Sequence, residues 1–265
     1  MAVQTIKRGG SRFYVDPADG EKKVPGVTSV LGMLPKGFLT YWAAKLVAET
    51  AVNDLPAVLG IAMRDQDAAI DYLKRAPTRF TARAADTGSD AHDLFERLAR
   101  GERVGRVHPD MAQYARHFEA FLQEQQPEFL HLEETVWSDT HGYAGSFDAI
   151  AKIDGETVIL DWKTTRSGVH EDVALQLKAY AKADRIILAA TGESIPVPTL
   201  DAAAVLHVRP EGAKLVPVDC SDDLFRFFTA LLDVFQWDST RKKSVIGRPV
   251  WSTGVEETGT ERRAA

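Results

Sequence analysis

The chain is poor in cysteine and in long apolar runs, and each shortage excludes a class of protein. Cys220 is the one cysteine among 265 residues, so neither an internal disulfide nor a site built from several thiolates can form. No apolar run reaches the roughly 18 residues that a membrane-spanning helix needs. The opening MAVQTIKRGGSRFYVD lacks the apolar segment of a secretory signal. We therefore expect a cytoplasmic protein that does not bind membranes.

Net positive charge is also missing. The formal net charge is −6, which by itself argues against a nucleic-acid partner, because nucleic acids are bound through basic surfaces. An enzyme that holds metal ions concentrates acids at its site, however, and needs basic residues only along the path of its substrate. Such residues do cluster locally, although a solvated face is the alternative for each cluster: Lys7 and Arg8; Arg75, Arg79 and Arg83; Lys178, Lys182 and Arg185; and residues 241–243.

What is present is typical of a globular protein, with 45% apolar and 26% charged residues. The N-terminal half is predicted to be mainly helical after a hairpin over 11–31. Helical periodicity runs from Leu39 to about Arg75, and prolines at 56 and 77 divide it. Two further helices are predicted, one over 89–100 that Thr87-Gly88-Ser89 caps and Gly101 ends, and one over 109–125.

From about residue 131 the pattern changes to strands. ETVWSD, YAGSFDAIAKID and TVILDWK are predicted strands, and Asp154-Gly155 supplies the turn between the last two. A helix over 171–190, a hairpin from AAAVLHVR to AKLVPVDC and a helix over 221–237 follow. The sequence thus predicts an α/β (α+β) protein with a twisted central mixed sheet flanked by helices and a helical N-terminal elaboration.

Two acids and a lysine are predicted to meet at one edge of this sheet. Asp148 lies within one strand, and Asp161 lies at the end of the next, in the segments G145-S-F-D148 and D161-W-K163. Because side chains alternate along a strand, Asp161 and Lys163 share a face and Trp162 points away. An exposed structural Asp–Lys pair is the alternative interpretation.

Such a set suits the hydrolysis of a phosphodiester. Carboxylates bind Mg²⁺ or Mn²⁺, which prefer oxygen ligands, and one or two such ions lower the pKa of bound water and stabilise the leaving oxygen. A lysine beside them can orient or deprotonate that water and offset developing charge. The sequence offers no G-x-x-x-x-G-K-[S/T] loop, so no nucleotide cofactor is predicted.

These residues resemble the PD-(D/E)XK nuclease superfamily in its RecB-like exonuclease branch. Gln176-Leu-Lys-Ala-Tyr180 is similar to the family's QxxxY motif, and G88-S-D-A-H92-D-L-F-E96 is similar to its G-x-x-x-H-x-x-x-E helix. The resemblance implies a restriction-endonuclease-like core. It also implies that Asp148, Asp161 and Lys163 are catalytic and that His92, Asp148, Asp161 and the Trp162 carbonyl bind metal. Gln176, Tyr180, Glu96 and Thr164 would then support the site or bind DNA.

The opening V24-P-G-V-T-S-V-L31, with Trp42 after it, resembles phage exonucleases and the mitochondrial genome maintenance exonuclease, which act on single-stranded ends. Tyr41 and Trp42 could stack on bases, and a core role is the alternative for Trp42.

Cas4-type relatives hold an iron–sulfur cluster on four cysteines, which this chain cannot do. Either Glu133 or Glu134 occupies the place where relatives often carry a further acid.

The expected function is therefore a metal-dependent DNA exonuclease that acts on single-stranded or frayed ends. A phage replication, recombination or repair role, with a partner protein from that process and the host cytoplasm as its location, follows from the resemblance. Residues 1–130 would form a wall of the DNA channel, 131–237 the nuclease core and 238–265 a flexible tail of one integrated domain. A resolvase-like endonuclease and a non-catalytic DNA-binding subunit are the alternatives.

Overall fold

The computed structural model describes residues 3–251 and residue 253. The chain begins with a small antiparallel sheet of three strands: β1 Thr5–Arg8, β2 Ser11–Val15 and β3 Lys23–Pro25. The β-branched run that follows is a helix, α1 Val27–Leu31, and not a strand. Its apolar residues Val27, Val30 and Leu31 are buried, because positions three and four apart share one helix face and pack together on the core.

A helical segment follows, and its boundaries agree with the proline signals. Pro56 and Pro77 each lie in the first turn of a helix, where a missing amide hydrogen costs nothing. The five helices of this segment are α2 Phe38–Asn53, α3 Leu55–Ala62, α4 Gln66–Lys74, α5 Ala76–Ala99 and, after a short 3-10 turn, α6 Ala112–Gln125.

One helix boundary was predicted wrongly. Thr87-Gly88-Ser89 does not cap a helix at residue 89, since it lies inside the 24-residue helix α5. The Thr87 hydroxyl donates instead to the Arg83 carbonyl one turn earlier, at 3.0 Å, a bond that hydroxyl side chains also make in helix interiors. The helix that carries His92 is therefore longer by three turns at its N-terminal end than the sequence indicated.

The main sheet has seven strands: β4 Glu128–Ser138, β5 Tyr143–Ile153, β6 Glu156–Lys163, β7 Arg185–Ile187, β8 Ser194–Pro196, β9 Ala202–Arg209 and β10 Gly212–Val218. Their order across the sheet is β10-β9-β6-β5-β4-β7-β8. The pair β6–β9 is parallel and the other pairs are antiparallel, so the sheet is mixed. Two further helices, α7 Asp172–Ala181 and α8 Leu224–Ser239, complete the fold.

The helix predicted over 171–190 is too long. It ends at Ala181, and Arg185–Ile187 pairs with β4 as a strand while Ser194–Pro196 extends the edge. Ile186 and Ile187 are buried against the sheet, a position that suits β-branched side chains. By contrast, the Asp154-Gly155 turn between β5 and β6 is confirmed, with φ of 49° and 87°.

Helices cover both faces of the sheet. On one face α1, α7 and α8 enclose a core that includes Phe147, Leu177 and Phe228. On the other face Phe95 of α5 and Phe118 of α6 pack over Trp162 of the sheet. The prediction of a mixed α/β fold with a large mixed sheet flanked by helices is confirmed. No helix in the described part of the chain is long and apolar enough to cross a membrane.

The predicted tail, 238–265, starts in the last turn of α8 and continues through a 3-10 turn, Arg241–Ser244. Residues 252 and 254–265 of that prediction lie outside the described residues.

Candidate metal centre

The site begins where β5 and β6 stop pairing. The two strands are in register from Ile153 and Glu156 to Ala149 and Leu160, and the recorded pairing ends there. Beyond this point the Trp162 amide donates to Asp148 Oδ2 at 2.5 Å. A side-chain carboxylate thus satisfies a buried backbone donor that the neighbouring strand no longer reaches. This hydrogen bond fixes the Asp148 carboxylate beside the end of β6.

Asp161 and Lys163 lie on one face of β6, as the alternation of the strand predicts. Lys163 Nζ is 2.5 Å from Asp161 Oδ2, and Gln176 Nε2 of α7 donates to Asp161 Oδ1 at 2.7 Å. Among the described residues, Oδ2 has no partner with hydrogen-bond geometry, so the ion pair alone offsets its burial. A buried carboxylate oxygen with a free lone pair is able to accept a cation.

His92 and Glu133 complete the cluster from two other elements. His92 Nδ1 on α5 lies 3.4 Å from Asp148 Oδ1. One ligand atom each from His92, Glu133 and Asp148 lies within 4.8 Å of the others. Sequence reasoning placed Asp161 and the Trp162 carbonyl with His92 and Asp148. The structure adds Glu133 to that group and brings Asp161 beside it, and the metal role of the Trp162 carbonyl stays a prediction.

The structure also distinguishes between the two glutamates of β4. Leu132 pairs with Ala149 and Glu134 with Phe147, so Glu133 lies opposite Asp148. Glu133 adopts a φ of 52°, which is uncommon for a residue other than glycine and marks a locally constrained backbone. The carboxylate of Glu134 accepts a hydrogen bond from the Ala189 amide instead. Glu133 therefore belongs to the candidate site, and Glu134 holds the segment after β7.

The electrostatics of the cluster show an excess of negative charge. Burial, with the nearby Asp148 carboxylate, raises the pKa of Glu133 to about 8. The same two causes raise the pKa of Asp161 to about 6, in part against the opposing charge of Lys163. Burial favours the neutral form of an acid, and a neighbouring carboxylate does the same. Three buried or half-buried carboxyl groups thus crowd together more closely than their ionised forms favour.

The pKa values of the two basic groups, His92 and Lys163, are raised as well, which favours their charged forms. Burial lowers the pKa of His92, but its hydrogen bond to Asp148 and the charge of that carboxylate outweigh the effect, and the pKa is raised. For Lys163, burial is likewise outweighed by the charges of Asp161 and Asp148, which raise its pKa. Lys163 therefore keeps its proton at neutral pH.

This donor set fits a hard divalent cation. Two carboxyl groups and one imidazole converge with Asp161 beside them, while Cys220, the only thiol of the chain, is not among them. Oxygen-rich sets of this kind suit Mg²⁺ or Mn²⁺ more than soft metals. A cation would also offset the repulsion that raises the pKa of Glu133 and Asp161.

Gln176 and Tyr180, the predicted supporting residues on α7, differ in whether they contact the acids. Gln176 also donates to the Tyr180 hydroxyl at 3.3 Å, and Tyr180 is buried in the core. The Tyr180 ring explains the glycine of the G145-S-F-D148 segment. A Cβ at Gly145 would lie only 2.5 Å from Tyr180 Cε1, so this position admits no side chain. Gln176 thus touches the acid directly, and Tyr180 acts through packing and through Gln176.

Glu96 and Thr164 are not part of the acid cluster. Glu96 accepts two hydrogen bonds from Arg100, at 3.0 and 2.8 Å, although its charge is close enough to raise the pKa of Glu133. Thr164 follows Lys163 and lines a cleft of about 600 Å³ that opens beside the site. Its wall comes from α2, α5, α6 and the segment after β6: Trp42, Phe80, Arg83, Ala84, Thr87, Tyr114 and residues 164–167.

Comparison with known proteins provides no functional assignment. No protein-family model matches the chain, and no curated protein matches its sequence. Among solved structures, the crystal structure of SSO0001 aligns with 74% of this chain and 84% of its own, at 13% identity and a TM-score of 0.29. A similarity this weak carries no argument, so the function is inferred from the site.

Proposed function

We propose that the protein is a metal-dependent deoxyribonuclease with a PD-(D/E)XK core of the RecB-like exonuclease type. The observation that carries the proposal is the convergence of Asp148, Asp161 and Lys163 at the end of β5 and β6, with His92 and Glu133 beside them. A purely structural ion pair would need one acid for one lysine. Here three acids meet, at a cost in repulsion that a bound cation would relieve.

The residues of the site would have different roles in phosphodiester hydrolysis. His92, Glu133, Asp148 and Asp161 would hold one or two Mg²⁺ or Mn²⁺ ions. When bound, such ions make water more acidic and stabilise charge on phosphoryl oxygens. Lys163 keeps its proton on Nζ because two carboxylates raise its pKa. It is therefore suited to orient the attacking water and to offset negative charge in the transition state.

Two neighbouring contacts position these groups. Gln176 binds Asp161 Oδ1, which leaves Oδ2 directed at Lys163. The Trp162 amide binds Asp148 Oδ2, which leaves Oδ1 directed at His92. In each of the two acids, one carboxylate oxygen accepts a hydrogen bond from the protein and the other faces the cluster. Such fixed carboxylates need little reorientation during the reaction.

The experiment that tests the proposal compares linear and closed circular single-stranded DNA with Mn²⁺. We expect the end-labelled linear strand to be degraded, the circle to survive, and EDTA or Lys163→Ala to stop the reaction. Cleavage of the circle would replace the exonuclease with an endonuclease. Binding of both DNAs without any cleavage, in the presence of Mn²⁺, would indicate a non-catalytic DNA-binding subunit and overturn the proposal.

A further inference from the structure

The wall of the cleft of about 600 Å³ begins in the chain next to the candidate metal centre. Thr164, on its wall, is the residue after Lys163. A Cβ built at Gly88 on α5 would lie 3.8 Å from Thr164 Oγ1, so helix and strand end approach each other there. His92 is one helical turn beyond Gly88 on the same helix. A polymer with one phosphate at the acids would thus place its adjoining units in this cleft.

The far wall of the cleft is aromatic. Trp42 of α2 and Phe80 of α5 contact each other edge to face, with ring centroids 5.8 Å apart and an angle of 75° between the planes. In this geometry one ring covers at most one face of the other, and Phe80 is 47% exposed. Open aromatic faces beside a cleft are suited to stack on flat ring systems.

Positive charge lines the same cleft. Arg83 and Arg166 are on its wall, and no acidic residue is among the described residues that line it. Within the described part of the chain, neither arginine forms an ion pair with a carboxylate. Arginines without a carboxylate partner, next to open aromatic rings, match a ligand that has both phosphates and bases.

We infer that the cleft binds the unpaired end of a DNA strand, with a base stacked on the Trp42–Phe80 wall and its phosphates along Arg83 and Arg166. This inference rests on the proposed nuclease function and names the residues that select single-stranded ends. A base inside a duplex is already stacked and paired, and extracting it costs a few kcal/mol. Only a frayed or single strand reaches the wall without that cost.

Tyr41 offers a matched control. It precedes Trp42 on α2, is 82% exposed and is not among the cleft residues. The two aromatic residues that the sequence offered as stacking candidates are therefore separated by the structure. Removal of Trp42 should affect base binding, and removal of Tyr41 should not.

The test measures binding in EDTA, so that no cleavage occurs, with a labelled oligothymidylate and a strand of equal length made of abasic nucleotides. Both strands carry the same phosphates. Base stacking contributes about 1–3 kcal/mol per base, which corresponds to roughly 5- to 150-fold in affinity. We expect the wild type to prefer oligothymidylate on this scale. Trp42→Ala should lose most of that preference, and Tyr41→Ala should retain it.

Phe80→Ala provides a second variant on the same wall if Trp42→Ala does not fold. Equal loss of affinity for both strands in a folded variant, or an unchanged preference in both variants, would overturn the inference. The outcome is separable from that of the nuclease proposal. A Trp42-dependent preference in a protein that never cleaves DNA would support the cleft and refute the nuclease. Cleavage without any such preference would do the reverse.

Discussion

The edge of the sheet at the end of β5 and β6, which carries the candidate metal centre, differs from the N-terminal helices α2 and α3 in the residues that it buries. At the edge, Asp161 and the surrounding strand residues are buried, and the side chains of Lys163 and His92 are only partly exposed. In α2 and α3, not one residue is buried, and large apolar side chains such as Val52 and Leu59 face solvent. The helix with the most apolar composition thus lies outside the core.

This difference indicates where stability and function reside. Packing on the sheet stabilises the site and increases the cost of its unpaired charges. Helices α2 and α3 depend more on local hydrogen bonds and on contacts with α4 and α5, so their local unfolding should require less free energy than opening of the sheet. We therefore expect substitutions at the edge to act on chemistry and metal binding, and substitutions in the helices to act weakly.

The largest expected effect is on cleavage. Lys163→Ala removes the ammonium group that pairs with Asp161 Oδ2, and a loss of one charge-stabilising group typically lowers the rate by about 10²–10³-fold. Lys152→Ala, an exposed lysine of the neighbouring strand β5, should leave the rate within about twofold because it lies away from the acids. The rates are compared on linear single-stranded DNA, with circular dichroism to verify folding. Equal activity of both variants would remove Lys163 from the mechanism.

The affinity for Mn²⁺ should distinguish the roles of Glu133 and Glu134. Glu133→Gln removes a candidate ligand, so Mn²⁺ binding should weaken by at least about tenfold. Glu134→Gln should bind Mn²⁺ almost as the wild type does, because Glu134 holds the Ala189 amide and not the cluster. His92→Ala should resemble Glu133→Gln. Calorimetric titration of the three variants gives the answer, and a larger loss for Glu134→Gln would show that the other glutamate is the ligand.

Substitutions at two glycines compare how the sheet edge and the N-terminal helices contribute to the free energy of unfolding. Gly145→Ala would place a Cβ 2.5 Å from the Tyr180 ring and 3.2 Å from Val27, so we expect destabilisation by about 1–3 kcal/mol. Gly60→Ala, in the interior of α3, meets nothing within 4 Å. It should stabilise by about 0.5–1 kcal/mol, because alanine loses less backbone entropy in a helix. Urea denaturation measures both, and changes of the same sign would contradict the proposed difference between the regions.

The smallest effect concerns pH. The pKa of Glu133 is about 8 in the folded protein against an ordinary 4.5, so its neutral form favours folding. That contribution is complete below the ordinary value and is lost as pH rises towards 8. The metal-free protein should therefore melt a few degrees lower at pH 8 than at pH 6. Glu133→Gln should flatten this slope in thermal melts. A wild-type melting temperature that rises over this range would argue against the buried acid.

Much of the sheet and its motif could be predicted from the sequence. Strand alternation placed Asp161 and Lys163 on one face, and the Asp154-Gly155 turn brought β5 and β6 together, because both signals are local. These contacts are confirmed by the structure. The enzymatic role of the residues stays a prediction. Gln176 was also selected correctly as a neighbour of the acids, through its spacing from Tyr180.

What escaped prediction depends on long-range pairing. Glu133 and Glu134 are adjacent and chemically alike, and only the register of β4 against β5, altered by an irregularity between Phe129 and His131, decides which one faces Asp148. The sequence predicts helix at Arg185–Ile187, where the structure has a short strand. Its pairing partner is β4, which lies far away in the sequence, so the local pattern does not indicate a strand. The Trp42–Phe80 contact joins two helices whose packing the periodicity of each does not encode.

The central claim, that the acids at the end of β5 and β6 form a divalent-cation site, is tested most directly by electron paramagnetic resonance of Mn²⁺. The account predicts that the signal of free Mn²⁺ decreases in a saturable manner as wild-type protein is added at pH 8. It also predicts that Glu133→Gln largely abolishes the decrease and that Glu134→Gln does not. An unchanged free-Mn²⁺ signal with folded wild-type protein would contradict the claim.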